Sequence, residues 1–354
     1  MENTIKNKRI MTYIRLCFVL VISCLSRMAI YYAQHIAYGY DFDLTYHLIK
    51  SIIVCTVCFF IYFFVSRYSY RITEKHHLII GCTGAVIVFG LMVLKSTLLR
   101  IDVAVLSSIL RYIYATVPFL QVVVICSLVK LFQNICEGKS VLKTVLFIVS
   151  SVLILSVSGN IFRMILLISF GTVYISELKN KGITSKTVKV LIGILLILLL
   201  VGEVYELGYA VGDYIKMYDE SGYMTVIARN TWSEAKTFGS IVNSTLVGGD
   251  VTDYSILWFI SYIGIAPTVL IVLLSIVSLI FVVLNNKTID TKSNAFRCVA
   301  LSYMIVCTVF ATLINCGTIL PGFFTQMPAL PDTVAGMMSI FLLAGLNNRR
   351  NICN

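Results

Sequence analysis

The sequence predicts an all-α, polytopic integral membrane protein with about ten transmembrane helices. Both termini are expected in the cytoplasm, with a large outer loop between spans seven and eight. Three observations point there. Hydrophobic residues make up 58% of the 354 positions against 13% charged, and the mean hydropathy is +0.91; a water-soluble fold of this length cannot hide that much apolar surface. The apolar residues come in long unbroken runs without the alternation of a transmembrane barrel, and only helices or closed barrels satisfy the backbone within lipid. Basic residues, finally, gather in alternate loops, as the positive-inside tendency requires of a multi-pass chain.

Taking about 20 apolar residues per crossing, we expect spans near 11–32, 49–65, 77–94, 112–132, 141–157, 161–176, 188–204, 262–284, 297–316 and 332–347. The first run follows Lys6, Lys8 and Arg9. It is too long for the apolar region of a signal peptide and lacks a small-residue cleavage site, so it reads as a span. Segments assigned to the inside, with their flanking span ends, carry eighteen Lys and Arg residues; among them are Arg67, Arg71 and Lys75, then Lys179, Lys181, Lys186 and Lys189, and finally Arg349 and Arg350. Outer segments carry seven, and 33–47 and 317–331 carry none. An odd number of spans would scramble this pattern. Topology therefore accounts for the net charge of +11 without a nucleic-acid partner.

Two outer segments differ from the rest. Residues 205–253 form a polar stretch rich in Tyr, Gly and acids, including Glu206, Asp213, Asp219, Glu220, Glu234, Asp250 and Asp253. Loops this long are usually functional or disordered. The apolar and aromatic residues within it, such as Tyr223, Val226, Trp232 and Phe238, predict that it folds onto the outer face. The segment from Tyr254 to Leu284 is long enough to hold an interfacial stretch ahead of its span. Near the last span, Pro321, Pro328 and Pro331 stiffen the entering loop. The eleven cysteines lie in or near apolar spans, with neither metal-ligand spacing nor a disulfide framework. Cys55 and Cys58 form a CxxC by spacing, which reads as packing within an apolar run.

Ionisable groups within or at the ends of spans are costly and invite functional hypotheses. Arg15, Lys50 and Lys130 sit near span ends, where snorkelling explains them. Arg27, Arg111 and Arg163 lie towards the outer half, where each either pairs with an acid such as Glu203 or binds an anionic lipid headgroup. Asp253 stands in Gly248-Gly249-Asp250-Val251-Thr252-Asp253-Tyr254, immediately ahead of the run that becomes span eight. A carboxylate at that interface can act as a base. An Asp ahead of a helix equally serves as its N-cap, and periodicity does not separate the two. Walker, HExxH, GxSxG and dinucleotide signatures are absent. His35, His47, His76 and His77 show no metal-ligand spacing.

In its second half the chain resembles the SEDS family (shape, elongation, division and sporulation), whose members include FtsW, RodA and SpoVE. Gly222-Tyr223-Met224, Thr252-Asp253-Tyr254, Asn315, Leu320-Pro321 and Pro328 stand in the family's order and at similar spacing. The differences are equally specific. Ser261 and Tyr262 occupy the positions of a glutamate pair, although the following Gly264 is kept, and Pro331-Asp332-Thr333-Val334 replaces a Ser-Tyr-Gly-Gly element. Of the motifs near spans three and four, Arg111 and Pro118 are the nearest remnants. The resemblance implies a peptidoglycan glycosyltransferase that polymerises lipid II, an undecaprenyl-pyrophosphate-linked disaccharide, on the outer face of a bacterial cytoplasmic membrane. Carried over, the family's essential carboxylate is Asp253. Arg229, Lys236, Arg111 and Arg163 are the candidates for binding the pyrophosphate leaving group, and a divalent cation is a further way to share that role. A class B penicillin-binding transpeptidase is the implied partner. Two other readings compete: a non-catalytic precursor transporter or scaffold of wall synthesis, favoured by the missing glutamates, and a polymerase or ligase of the O-antigen type. The latter class usually depends on outer-loop arginines and a histidine, whereas 205–253 holds Arg229 alone and no histidine.

Overall fold

The computed structural model describes residues 10–25, 28, 43–98, 104–137, 141–179, 186–217, 223–240, 255–284, 294–316 and 334–348. Among these residues every regular element is a helix: α1 (Ile10–Leu25), α2 (Leu44–Leu98), α3 (Ala104–Glu137), α4 (Val141–Val157), α5 (Asn160–Lys179), α6 (Lys186–Met217), α7 (Tyr223–Glu234), α8 (Ser255–Ile263), α9 (Ile265–Leu284), α10 (Asn294–Asn315) and α11 (Val334–Asn347). Six stretches are long and apolar enough to cross a membrane: Leu44–Tyr68, His76–Thr97, Thr116–Cys136, Asn160–Leu178, Ile265–Val282 and Asn294–Asn315. Ile10–Leu25, Leu142–Val157 and Val334–Asn347 are shorter apolar helices. The expected seventh span lies within α6. This is the architecture of a multi-pass membrane protein, with bulky apolar side chains such as Phe60, Leu142, Ile197 and Leu270 exposed along the helices where a bilayer supplies the solvent.

Three expectations about connections are corrected. Residues 66–76, read as a loop, are helical, so that α2 runs for 55 residues; that stretch contains no Gly or Pro to stop a helix. The polar segment after span seven is helical up to Met217. Leu207, Ala210, Val211, Tyr214 and Ile215 recur there at the spacing of one helix face. The segment 223–234 forms a helix of its own, α7.

The chain divides into two compact units. The first comprises Met1–Phe60, Gly208–Asn285 and Cys307–Met337; the second comprises Ile61–Leu207, Asn286–Val306 and Met338–Asn354. In the second unit α3 packs along α4 and α5, with Phe132, Phe147 and Phe170 in mutual ring contact at centroid distances of 5.0–5.6 Å. Small residues allow close approach, as is common between membrane helices. A Cβ on Gly84 would lie 2.6 Å from Val124 Cγ2, and one on Gly345 would lie 3.1 Å from the Tyr62 carbonyl.

This unit also buries charge. Lys130, expected to snorkel, is 3% exposed, and its Nζ donates to Gln133 Oε1 at 3.0 Å. Gln133 Nε2 in turn donates to Glu177 Oε1 at 3.1 Å, linking α3 to α5. The amide of Gln133 thus relays a cation to an anion, each buried and hydrogen-bonded, the condition under which buried charge is tolerated. Beside it Asn134 bonds the buried His77 at 3.0 Å, and Asn294 Nδ2 donates to Ser176 Oγ at 2.6 Å.

Removing one charge of the relay leaves the other buried without the opposite charge at its far end. Glu177→Ala is expected to destabilise by about 3 kcal/mol or more, whereas Lys130→Met with Glu177→Leu recovers most of the loss. Thermal unfolding of the detergent-solubilised variants measures both.

Candidate functional site at the loop-to-span junction

Within the first unit, α7, α8, α9 and the end of α10 converge around a helix break. The run from Ser255 to Leu284 is interrupted at Gly264, whose φ is +90°. A break exposes the last carbonyls of one helix and the first amides of the next, groups that require partners. The segment 236–239, just after α7, supplies them. Lys236 O accepts from Ile265 N and Thr237 O from Ala266 N, both at 3.0 Å, while Gly239 N donates to Ile263 O at 3.1 Å. One short strip of backbone therefore caps the end of α8 and the start of α9 together. Pro267, lacking an amide hydrogen, sits in the first turn of α9 where none is needed. A separate helix, α8, thus precedes α9 where the sequence left room for an interfacial stretch, set off from α9 by this break.

Asn315, at the end of α10, joins the remaining pieces. Its Oδ1 accepts from Leu257 N at 3.1 Å, its Nδ2 donates to Ala311 O at 2.8 Å, and its own carbonyl accepts from Trp232 Nε1 at 2.8 Å. Leu257 is the third residue of α8, and its amide is one that an N-cap side chain ordinarily satisfies. The residue directly before α8 in the sequence is Tyr254, a poor capping type. Asn315 therefore caps α8 from a distant helix and holds α7 with its backbone.

Ser261 is buried and donates to Trp258 O at 2.8 Å. Tyr262 stacks on Trp258 with centroids 4.4 Å apart and rings inclined by 18°. Trp258 is itself buried, and its Nε1–H has no acceptor among the described residues. Aromatic surface and one unclaimed donor thus occupy the turn of α8 where the SEDS resemblance has two glutamates.

Asp253, with Thr252 and Tyr254, lies outside the described residues, two positions before α8 begins. Arg229 on α7 and Lys236 on the capping strip are both exposed and share the junction with α8. Arg163 is placed in the other unit and is held by acids. Its Nη1 contacts Glu203 Oε1 at 3.2 Å and Glu206 Oε2 at 2.8 Å, and its Nε donates to Ser158 O at 2.9 Å. Of the two fates expected for Arg163, acid pairing is the one observed, with Glu206 as an additional partner. Glu203 Oε2 is buried without a hydrogen-bond partner among the described residues. Arg111 is a residue of α3, and its side chain lies outside the described ones. Among the described residues no cluster of His, Cys, Asp and Glu has the makings of a metal site.

No family model matches the chain, and no curated protein matches it.

Sequence reasoning did not foresee the capping strip or the reach of Asn315. A signal for the break existed, in Gly264 followed closely by Pro267 within an apolar run. Nothing local to Asn315 announces its partners, which stand 83 and 58 positions earlier.

Two substitutions test this junction. A Cβ at residue 264 would lie 2.8 Å from Phe238 Cα and 2.9 Å from two carbonyl oxygens. Gly264→Ala is therefore expected to lower stability by about 2 kcal/mol or more. Gly90→Ala, at a helical site with open space around it, is the control and should be neutral or slightly stabilising. Asn315→Ala, which leaves the buried Leu257 amide unpaired, is expected to cost about 1–3 kcal/mol in the same thermal assay.

Proposed function

We propose that this chain is a SEDS-type glycosyltransferase with ten spans and cytoplasmic termini, which polymerises lipid II on the outer face of a bacterial cytoplasmic membrane. The observation that supports this reading best is the reach of Asn315. It draws together α7 of the outer segment, the helix that follows Thr252-Asp253-Tyr254, and its own helix end. Asn315 of the family resemblance thus meets two helices that border other segments of it. The same contact bears on the role of Asp253, because one of the two amides that a helix-capping carboxylate would seek is already engaged by Asn315.

In this mechanism Asp253 takes the proton from the acceptor sugar hydroxyl as its oxygen attacks the anomeric carbon of the lipid-linked donor. The bond from that carbon to the pyrophosphate oxygen breaks, and undecaprenyl pyrophosphate leaves. Growing negative charge on the leaving group calls for cations placed in advance. Arg229 and Lys236, exposed at the junction, are the candidates for that role beside the end of α7, whereas Arg163 is held by two glutamates in the other unit; Arg111 would add a further cation, and a divalent metal ion would supply the same charge. The product strand would pass to a class B penicillin-binding transpeptidase for crosslinking.

A second reading, a non-catalytic transporter or scaffold for lipid-linked wall precursors, draws support from Ser261 and Tyr262. The hydroxyl and the stacked ring there offer no carboxylate.

Purified chain, assayed with lipid II together with its transpeptidase, is expected to form glycan strands, and Asp253→Asn to abolish them while leaving membrane insertion intact. Equal polymerisation by wild type and variant removes Asp253 from the mechanism. No polymerisation by either, with the transpeptidase bound, supports the scaffold.

A further inference from the structure

The first unit holds two thiols in contact that the sequence sets 31 positions apart. Cys24, in the last turn of α1, and Cys55, three turns into α2, place their Sγ atoms 3.4 Å from each other. Both side chains are half-buried. The end of one helix meets the early part of the next, the register of an antiparallel pair. A disulfide needs an S–S distance of about 2.05 Å, so closure asks for little more than an ångström of approach, shared between two side chains.

We propose that Cys24 and Cys55 form an oxidative modification site, at which a lipid-soluble two-electron acceptor of the quinone class converts the thiols to a disulfide that staples α1 to the first part of α2. Two S–H bonds break and one S–S bond forms. The two electrons and two protons pass to the quinone, which leaves as a quinol. The location sets the oxidant's class. Around the pair, Val21, Leu25, Ile52 and Ile53 are apolar and exposed, a setting that an apolar acceptor dissolved in lipid reaches and a charged thiol–disulfide buffer does not. Of the remaining thiols on these two helices, Cys17 is exposed, Cys58 buried and Cys82 half-buried; Cys82 lies about seven turns further along α2 than Cys55. The inference is independent of the glycosyltransferase reading, since it uses neither the outer segment nor any substrate.

The test uses membranes containing the full chain. These are treated with a quinone whose ring is fully substituted, so that thiols cannot add to it, and in parallel with iodine as a stronger apolar oxidant. The protein is then denatured, alkylated and digested, and the peptides are read by mass spectrometry without reduction. Both oxidants should make the Cys24–Cys55 linked peptide the dominant form of the two cysteines. Dithiothreitol should abolish it, and Cys55→Ser should return Cys24 to the alkylated pool. Persistence of both cysteines as alkylated thiols overturns the proposal, as does linkage of Cys55 to Cys58 instead. Linkage by iodine alone overturns the quinone as oxidant.

Discussion

The constraint that organises this molecule is the demand of every backbone amide and carbonyl for a partner where water is scarce. Unbroken helices meet it internally. The interruption at Gly264, between α8 and α9, meets it by borrowing Lys236, Thr237 and Gly239 from the segment after α7. A break in a membrane helix is therefore also an attachment point. What caps the freed groups becomes fixed to the helix ends, and here that is the short segment after α7 that carries Lys236 and follows Arg229. The position of the exposed cations thus derives from the same backbone requirement that shapes α8 and α9.

Charge follows a parallel logic in the second unit. Neither Lys130 nor Glu177 is abandoned in the interior, because Gln133 offers an acceptor to one and a donor to the other. Arg163 divides its guanidinium between Glu203 and Glu206 and spends Nε on a carbonyl. The two arrangements differ in closure. The Lys130 relay leads from cation to anion through a neutral amide, whereas the Arg163 cluster holds two carboxylates to one guanidinium and leaves Glu203 Oε2 buried without a partner among the described residues.

The helices were legible because their signals are local. Apolar runs placed α4 at 141–157 and α5, α9, α10 and α11 to within a few residues. Loops were harder, since polar residues fill helices as readily as irregular chain when no breaker stands among them. Residues 66–76 are polar but free of helix breakers, and 205–217 carry a helical face beneath their tyrosines and acids. For Arg163 the sequence left two fates open, an acid such as Glu203 or a lipid headgroup, and depth alone did not choose between them; the structure pairs it with Glu203 and Glu206. The junction was not. Asn315 looks like any polar residue at a span end, and its contacts with Trp232 and Leu257 depend on how three helices are brought together.

The distances along the chain that Asn315 bridges set an order of assembly. Trp232 and Leu257 are synthesised well before the residue that binds them. Until α10 has entered the membrane, the indole of α7 and the leading turn of α8 have no such partner to settle on. The capping strip at Gly264, by contrast, involves neighbours only some thirty residues apart and can form as soon as α9 emerges. During biogenesis the break is thus secured first, and the junction closes over it later, when the ninth of the expected spans arrives as its keystone.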